Sequence, residues 1–221
     1  MTLSIYFAGS LFNHKDLAGN ALLAAAVDRA GAGRYRCVLP QNFEAAAGRA
    51  VEIRNEDLRQ LLQCDLALFH FDGAELDSGT VVEFMVAKFL DIPAVVLRTD
   101  FRQSGDQEEG DPWNLMCSFY PRTRVVRLNA MEEYHRVRSE AWQLPEVLQR
   151  WFEMMAQAVV ENFDLVRQEP PILPDDPRQA QWLYGWVLRM AGGGLNKLLG
   201  HAEVKELIEA KSGRKLLKGE S

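Results

Sequence analysis

Short apolar runs at residues 65–71 and 92–97 lack the in-and-out alternation of a half-solvated sheet, the pattern of strands buried on both faces, and residues 3–7, 36–39 and 125–128 read as three further strands. Helical spacing fills the gaps between them. Residues 15–30 are rich in alanine and leucine and stop at Gly31-Ala32-Gly33, and residues 51–63 repeat Ile53, Leu58, Leu61 and Leu62. A third helix follows Asp77, with Val81, Val82, Met85, Val86, Phe89 and Leu90 as its core-facing stripe. Strands alternating with helices of this length predict an α/β fold: a doubly wound, flavodoxin-like or Rossmann-like sheet of five parallel strands.

The second half of the chain reads differently. Leu144, Val147, Leu148, Trp151, Phe152, Met155 and Val159 mark one long amphipathic helix over 144–166, with Pro145 tolerated in its first turn. The proline-rich stretch 169–177 then interrupts the pattern, which divides the chain into an α/β domain at 1–167 and a helical C-terminal extension at 168–221. In that extension, residues 179–191 carry Trp182, Leu183, Trp186 and Leu188, and 202–210 form a second short helix. An aromatic helix behind such a break covers apolar surface on its own core or on another subunit. Residues 211–221 are polar and expected to fray.

Composition narrows the class. The chain has 221 residues, 48% of them hydrophobic and 25% charged, enough for one substantial core. A formal charge of −6 argues against a nucleic-acid polymer as partner, since that would call for a concentrated basic surface. Cys37, Cys64 and Cys117 are odd in number and far apart, which predicts reduced cysteines and neither a disulfide framework nor a zinc site. His14, His70, His135 and His201 show no metal-ligand spacing, and no cofactor motif is present: Gly192-Gly193-Gly194 follows a helix and reads as a helix stop. The chain opens without a basic, apolar leader and has no run of bilayer length, so a cytoplasmic location is the expectation.

The chemistry concentrates in Asp77-Ser78-Gly79-Thr80-Val81-Val82-Glu83, a strand-to-helix turn that bears two carboxylates. The carboxyl edge of an open parallel sheet is where such folds bind ligands, and a carboxylate there can act as nucleophile or base. Periodicity leaves both groups open to plainer readings. Asp77 and Ser78 are good helix caps, and Glu83 sits at the margin of the apolar stripe. Three further elements accompany the turn: Tyr6-Phe7-Ala8-Gly9-Ser10-Leu11-Phe12 at the end of the first strand, Asp57 ahead of the third, and Asn114-Leu115-Met116 after an acidic loop.

In this order and spacing the four elements resemble the nucleoside 2-deoxyribosyltransferase family over roughly residues 3–130. The resemblance implies an enzyme that moves 2-deoxyribose between nucleobases through a covalent deoxyribosyl-glutamate, with some hydrolysis. Carried over position by position, it makes Glu83 the nucleophile, Tyr6 the group that holds it ionised, and Asp57 the residue that contacts the base and shuttles its proton. Asp77 and Asn114 become contacts to sugar hydroxyls. Met116 completes the third motif, Gly9 and Phe12 fall in the first, and Gln41 and Asn42 face the base edge. Gln41-Asn42 stands where the family often has Asp-Asn, which leaves base preference open. The resemblance also implies a homo-oligomer in which the Asn114 segment reaches a neighbouring subunit's site.

Two other readings stand beside this one. A hydrolase of nucleoside 5′-monophosphates could use the same fold, but Asn114-Leu115-Met116 suits a neutral hydroxyl better than a phosphate. A non-catalytic nucleoside sensor would have little use for Tyr6, Asp77 and Glu83 together. The loop at 99–113, polar and glycine-bearing, is either a solvated surface loop or a flap over the substrate.

Overall fold

The computed structural model describes residues 1–43, 49–102, 110–214 and 216–217. Five strands, β1 (Leu3–Ala8), β2 (Tyr35–Val38), β3 (Leu66–His70), β4 (Ala94–Arg98) and β5 (Thr123–Arg127), form one sheet in the order β2-β1-β3-β4-β5, every pair parallel. The expected doubly wound α/β sheet is therefore what the chain forms. The strand order reverses direction between β1 and β3, which opens a crevice at their carboxyl ends.

Successive residues of β1 point to opposite faces. Ile5 and Phe7 pack with α1 (His14–Ala30) and α5 (Leu144–Val166), through Leu23, Val27, Val159 and Phe163. Tyr6 and Ala8 point the other way, towards α2 (Ala50–Gln63) and α3 (Ser78–Phe89). This alternation sends the Tyr6 phenol to the side of the sheet where α3 begins.

The stripe on α3 differs in part from expectation. Val86 and Leu90 are buried as expected, but Thr80, Phe84 and Ala87 are buried too, whereas Val82 and Phe89 are 56% and 50% exposed. The cause is an aromatic cluster: Phe84 meets Phe69, Phe71 and Tyr120 edge-on at 5.2, 5.5 and 5.4 Å between ring centres. Once Phe84 anchors the helix, its neighbour Glu83 is turned towards the end of the sheet. A further helix, α4 (Ala130–Glu140), has no counterpart in the sequence reading. It buries only Val137, too little to leave an apolar period.

The C-terminal extension forms α6 (Pro177–Ala191), α7 (Leu195–Leu198) and α8 (His201–Gly213). Tyr184, Val187, Leu188, Leu195 and Ile208 join the same apolar cluster as Tyr6, Phe69 and Phe84. Within α6 the buried face is Ala180, Tyr184, Val187 and Leu188, while Trp182 and Trp186 point outward at 64% and 43% exposure.

Buried polar groups pin the extension to the amino ends of the strands. Asp91 pairs with Arg122 at 3.0 Å and accepts the Ile172 and Leu173 N–H groups at 2.8 and 3.1 Å, so the proline stretch is held along the core. Arg122 Nη2 donates to Leu216 O at 2.8 Å, Lys211 donates to Cys64 O, and Arg214 pairs with Asp65. Residues 211–217 are accordingly packed rather than frayed where they are described: Lys211, Leu216 and Leu217 are all buried. Residues 215 and 218–221 lie outside the described residues, as do 103–109 of the expected flap. Among the described residues, no helix is long and apolar enough to cross a membrane.

Candidate active site

A cavity of about 570 Å³ opens at the carboxyl ends of β1 and β3, with Gly9, Phe12, Asp57, Asp77 and Glu83 in its wall. They come from three pieces of local structure. The turn after β1 brings Gly9 and Phe12, α2 brings Asp57, and the first turns of α3 bring Asp77 and Glu83. Five of the residues expected from sequence thus converge on one space.

Tyr6 lies beneath that space, fully buried, and its hydroxyl donates to Glu83 Oε1 at 2.5 Å. Burial, then the adjacent Glu83 charge, pushes the phenol well above its ordinary value. The phenol therefore remains a donor at any physiological pH, and a donor at this oxygen favours the ionised carboxylate.

Asp77 caps α3: its Oδ2 accepts both Thr80 N at 2.7 Å and Thr80 Oγ1 at 2.9 Å. The plainer reading of this residue is thus correct as far as it goes. It uses one carboxylate oxygen, while the residue still lines the cavity.

The loop that delivers Asp77 is braced from β4. Arg98 is 1% exposed; its Nη1 donates to Phe71 O at 2.6 Å and Gly73 O at 2.9 Å, and its Nη2 to Arg102 O at 3.0 Å. Asp72 Oδ1 accepts Thr99 N at 2.6 Å and Asp100 N at 2.9 Å. Burial opposes ionisation of Asp72, yet bonds from His70 and Thr99 outweigh it and hold the carboxyl well below its usual range. Gly73 is required in this loop: its φ is +106°, and a Cβ would lie 2.9 Å from Glu75 O. His70, at the end of β3, places Nε2 2.9 Å from Asp72 Oδ2 and lines a separate, polar cavity that shares Asp77.

Asn114 and Met116 are not in the wall of the Glu83 cavity. They line a neighbouring cavity of about 690 Å³, with Ser78 and Val82 common to both walls. Asn114 Oδ1 accepts Met116 N at 2.9 Å and caps the short turn Leu115–Cys117, leaving Met116 68% exposed. Gln41 and Asn42 do not line the Glu83 cavity either. Gln41 Nε2 donates to Leu17 O at 3.0 Å, Asn42 is exposed, and it is the preceding Pro40 that reaches the wall.

One charged residue of the cavity wall escaped the sequence reading. Arg54 lies one turn before Asp57 on α2 and lines the same wall. The i, i+3 spacing was the available signal, but an arginine on a charged helix face looks like solvated surface until α3 is placed opposite.

Comparison with known proteins adds to this geometry. A family model described as nucleoside 2-deoxyribosyltransferase matches residues 5–116, just over half of the chain. A conserved protein from Enterococcus faecalis V583 is 28% identical, over 68% of this chain and 99% of its own, with a TM-score of 0.50. A 2-desoxiribosyltransferase from Leishmania mexicana is 22% identical over 64% of this chain and 99% of its own, with a TM-score of 0.45. A 2-deoxyribosyltransferase from Bacillus psychrosaccharolyticus is 16% identical over 65% and 95%, with a TM-score of 0.43. No match was found among curated protein sequences. The matched segment spans every cavity residue named above.

Proposed function

The chain belongs to the nucleoside 2-deoxyribosyltransferase family, and on that premise we propose that it transfers 2-deoxyribose from one nucleobase to another through a covalent ester on Glu83. The observation that supports this most is the 2.5 Å bond from Tyr6 to Glu83 at the wall of the cavity. A carboxylate held ionised and oriented by a buried donor suits attack on an anomeric carbon.

In the first half-reaction Glu83 attacks C1′ as the C1′–N bond breaks, and the electron pair of that bond leaves with the base. Asp57, in its acid form, hands a proton to the departing base nitrogen. A second base then attacks C1′ from the vacated side, Glu83 leaves as carboxylate, and Asp57 takes back a proton. Water in place of the second base gives hydrolysis. Two displacements at one carbon retain its configuration.

Asp77 hydrogen-bonds a sugar hydroxyl with the carboxylate oxygen that its cap leaves over. Asn114, in the wall of the adjoining cavity, serves the 5′-hydroxyl of a neighbouring protomer's sugar. The working form is then a homo-oligomer, with residues 1–167 as the transferase domain and 168–221 as its helical extension.

One observation favours a second reading, hydrolysis of nucleoside 5′-monophosphates: Arg54 puts a cation in the cavity wall. A single guanidinium on the helix that carries Asp57 is poorly matched to a phosphate at the far end of the sugar. Base exchange across a panel of deoxynucleosides and free bases tests the proposal. Exchange between unphosphorylated partners supports it, and faster turnover of 5′-monophosphates in competition puts the hydrolase first.

A further inference from the structure

Arg54 is the only cationic side chain among the described residues that line the Glu83 cavity. Its Nη2 donates to Ala191 O at 2.6 Å and its Nη1 to Asn55 Oδ1 at 3.1 Å. Both acceptors are neutral. A guanidinium has five N–H donors, so these two bonds leave both hydrogen-bonding capacity and unspent charge beside the cavity.

The hold on Arg54 comes from the C-terminal extension, beyond the segment that the family model matches. Gly192, Gly193 and Gly194 follow α6 with φ of +65°, +61° and +84°. Asn55, 4% exposed, donates through Nδ2 to Gly193 O at 2.7 Å. A Cβ on Gly193 would lie 3.0 Å from Val51 Cγ2, 3.1 Å from Arg54 Nη1 and 3.3 Å from Asn55 Oδ1. Only glycine fits against α2 here, and the sequence reading of the triplet as a mere helix stop misses this contact.

Arg54 and Asp57 are i, i+3 on α2 and share a face, whereas Asp77 and Glu83 come from α3. With the sugar at Glu83, the base falls to the α2 side. We propose that Arg54 is a base-reading residue for 6-oxopurines, held at its working angle by the Gly193 turn. The guanidinium fork matches two adjacent acceptors, the 6-carbonyl oxygen and N7, whereas a 6-aminopurine turns an N–H donor towards it. Donation at these atoms also stabilises the electron pair that the base carries away when C1′–N9 breaks. This inference rests on the deoxyribosyl-transfer reading above.

The test compares kcat/KM for 2′-deoxyinosine and 2′-deoxyadenosine, which differ at position 6 and in the N1 proton that the 6-oxo form carries, with thermal unfolding as a check on fold. The wild type favours deoxyinosine. Arg54→Met lowers that preference by about tenfold or more, in line with the loss of a bidentate contact. Arg54→Lys lowers it less, and Gly193→Ala lowers it with no cavity residue changed. If Arg54→Met fails to fold, the Arg54→Lys and Gly193→Ala ratios decide. An unchanged ratio in the variants, a wild-type preference for deoxyadenosine, or a selective loss of 5′-monophosphate turnover in Arg54→Met would overturn the role. A wild type without any deoxynucleoside turnover would overturn the transfer reading along with it, while wild-type turnover with an unmoved ratio counts against Arg54 alone.

Discussion

Tyr6 and Glu83, seventy-seven positions apart, meet at 2.5 Å because β1 turns alternate residues to opposite faces and Phe84 fixes the rotation of α3. The pair is made by the fold.

Tyr6→Phe removes the donor and keeps the ring. A hydrogen bond to a charged group is worth about 1.5–3 kcal/mol, so exchange should fall roughly 10- to 100-fold and the unfolding free energy by up to about the same 1.5–3 kcal/mol, with the fold retained. Steady-state rates for the variant, set beside its melting curve, check this. A variant as active as the wild type would show that Glu83 needs no such support.

Asp77 has two separable duties. Asp77→Ala should lose about 1 kcal/mol of stability through the vacant cap, and also raise KM for the nucleoside. Asp77→Asn restores the cap and therefore the stability, yet still binds the sugar less well than the carboxylate does. Denaturant titration and kinetics on both variants separate the two effects; equal kinetic defects without any stability difference would count against the cap.

If sites are shared between subunits, two dead variants should rescue each other. Glu83→Ala and Asn114→Ala are each expected to be nearly inactive. Remixed as a two-fold dimer they regain about a quarter of wild-type activity, since half of the dimers carry one intact site of two. No recovery after verified subunit exchange would place Asn114 in the site of its own chain or in none.

Burial lowers the Lys211 ammonium to about 8, well below an unfolded lysine. Between about pH 8 and the unfolded value near 10.5 the unfolded chain binds more protons, so this residue's contribution to stability improves as pH rises through that window. The penalty is fully present below it. Unfolding free energies of the wild type and Lys211→Met should accordingly diverge in the wild type's favour between pH 8 and 10; a constant difference would mean that Lys211 titrates normally.

Much of this arrangement was legible in the sequence because it rests on local signals. Apolar runs without alternation marked the two central strands β3 and β4, and Leu144–Val166 came out to the residue because its stripe is long and unbroken. Where long-range packing decides, the sequence was silent or misleading. Val82 and Phe89 look like core by hydropathy, but the aromatic contacts of Phe84 rotate them outward. Trp182 and Trp186 were likewise displaced from the buried face by Tyr184, whose hydroxyl reaches Leu90 O at 3.1 Å. At the site, motif order found Tyr6, Asp57, Asp77 and Glu83, which line or underlie one cavity. It did not find Arg54, whose place depends on the glycine turn 139 residues further on.

The covalent role of Glu83 is most directly tested by mass measurement on acid-quenched enzyme. Incubation with a 2′-deoxynucleoside and no acceptor base should add one deoxyribosyl unit to the peptide that contains Glu83, and the adduct should disappear when a free base is supplied. Glu83→Ala should show neither adduct nor exchange while it still folds. An adduct on another residue, or full exchange in Glu83→Ala, would contradict the account.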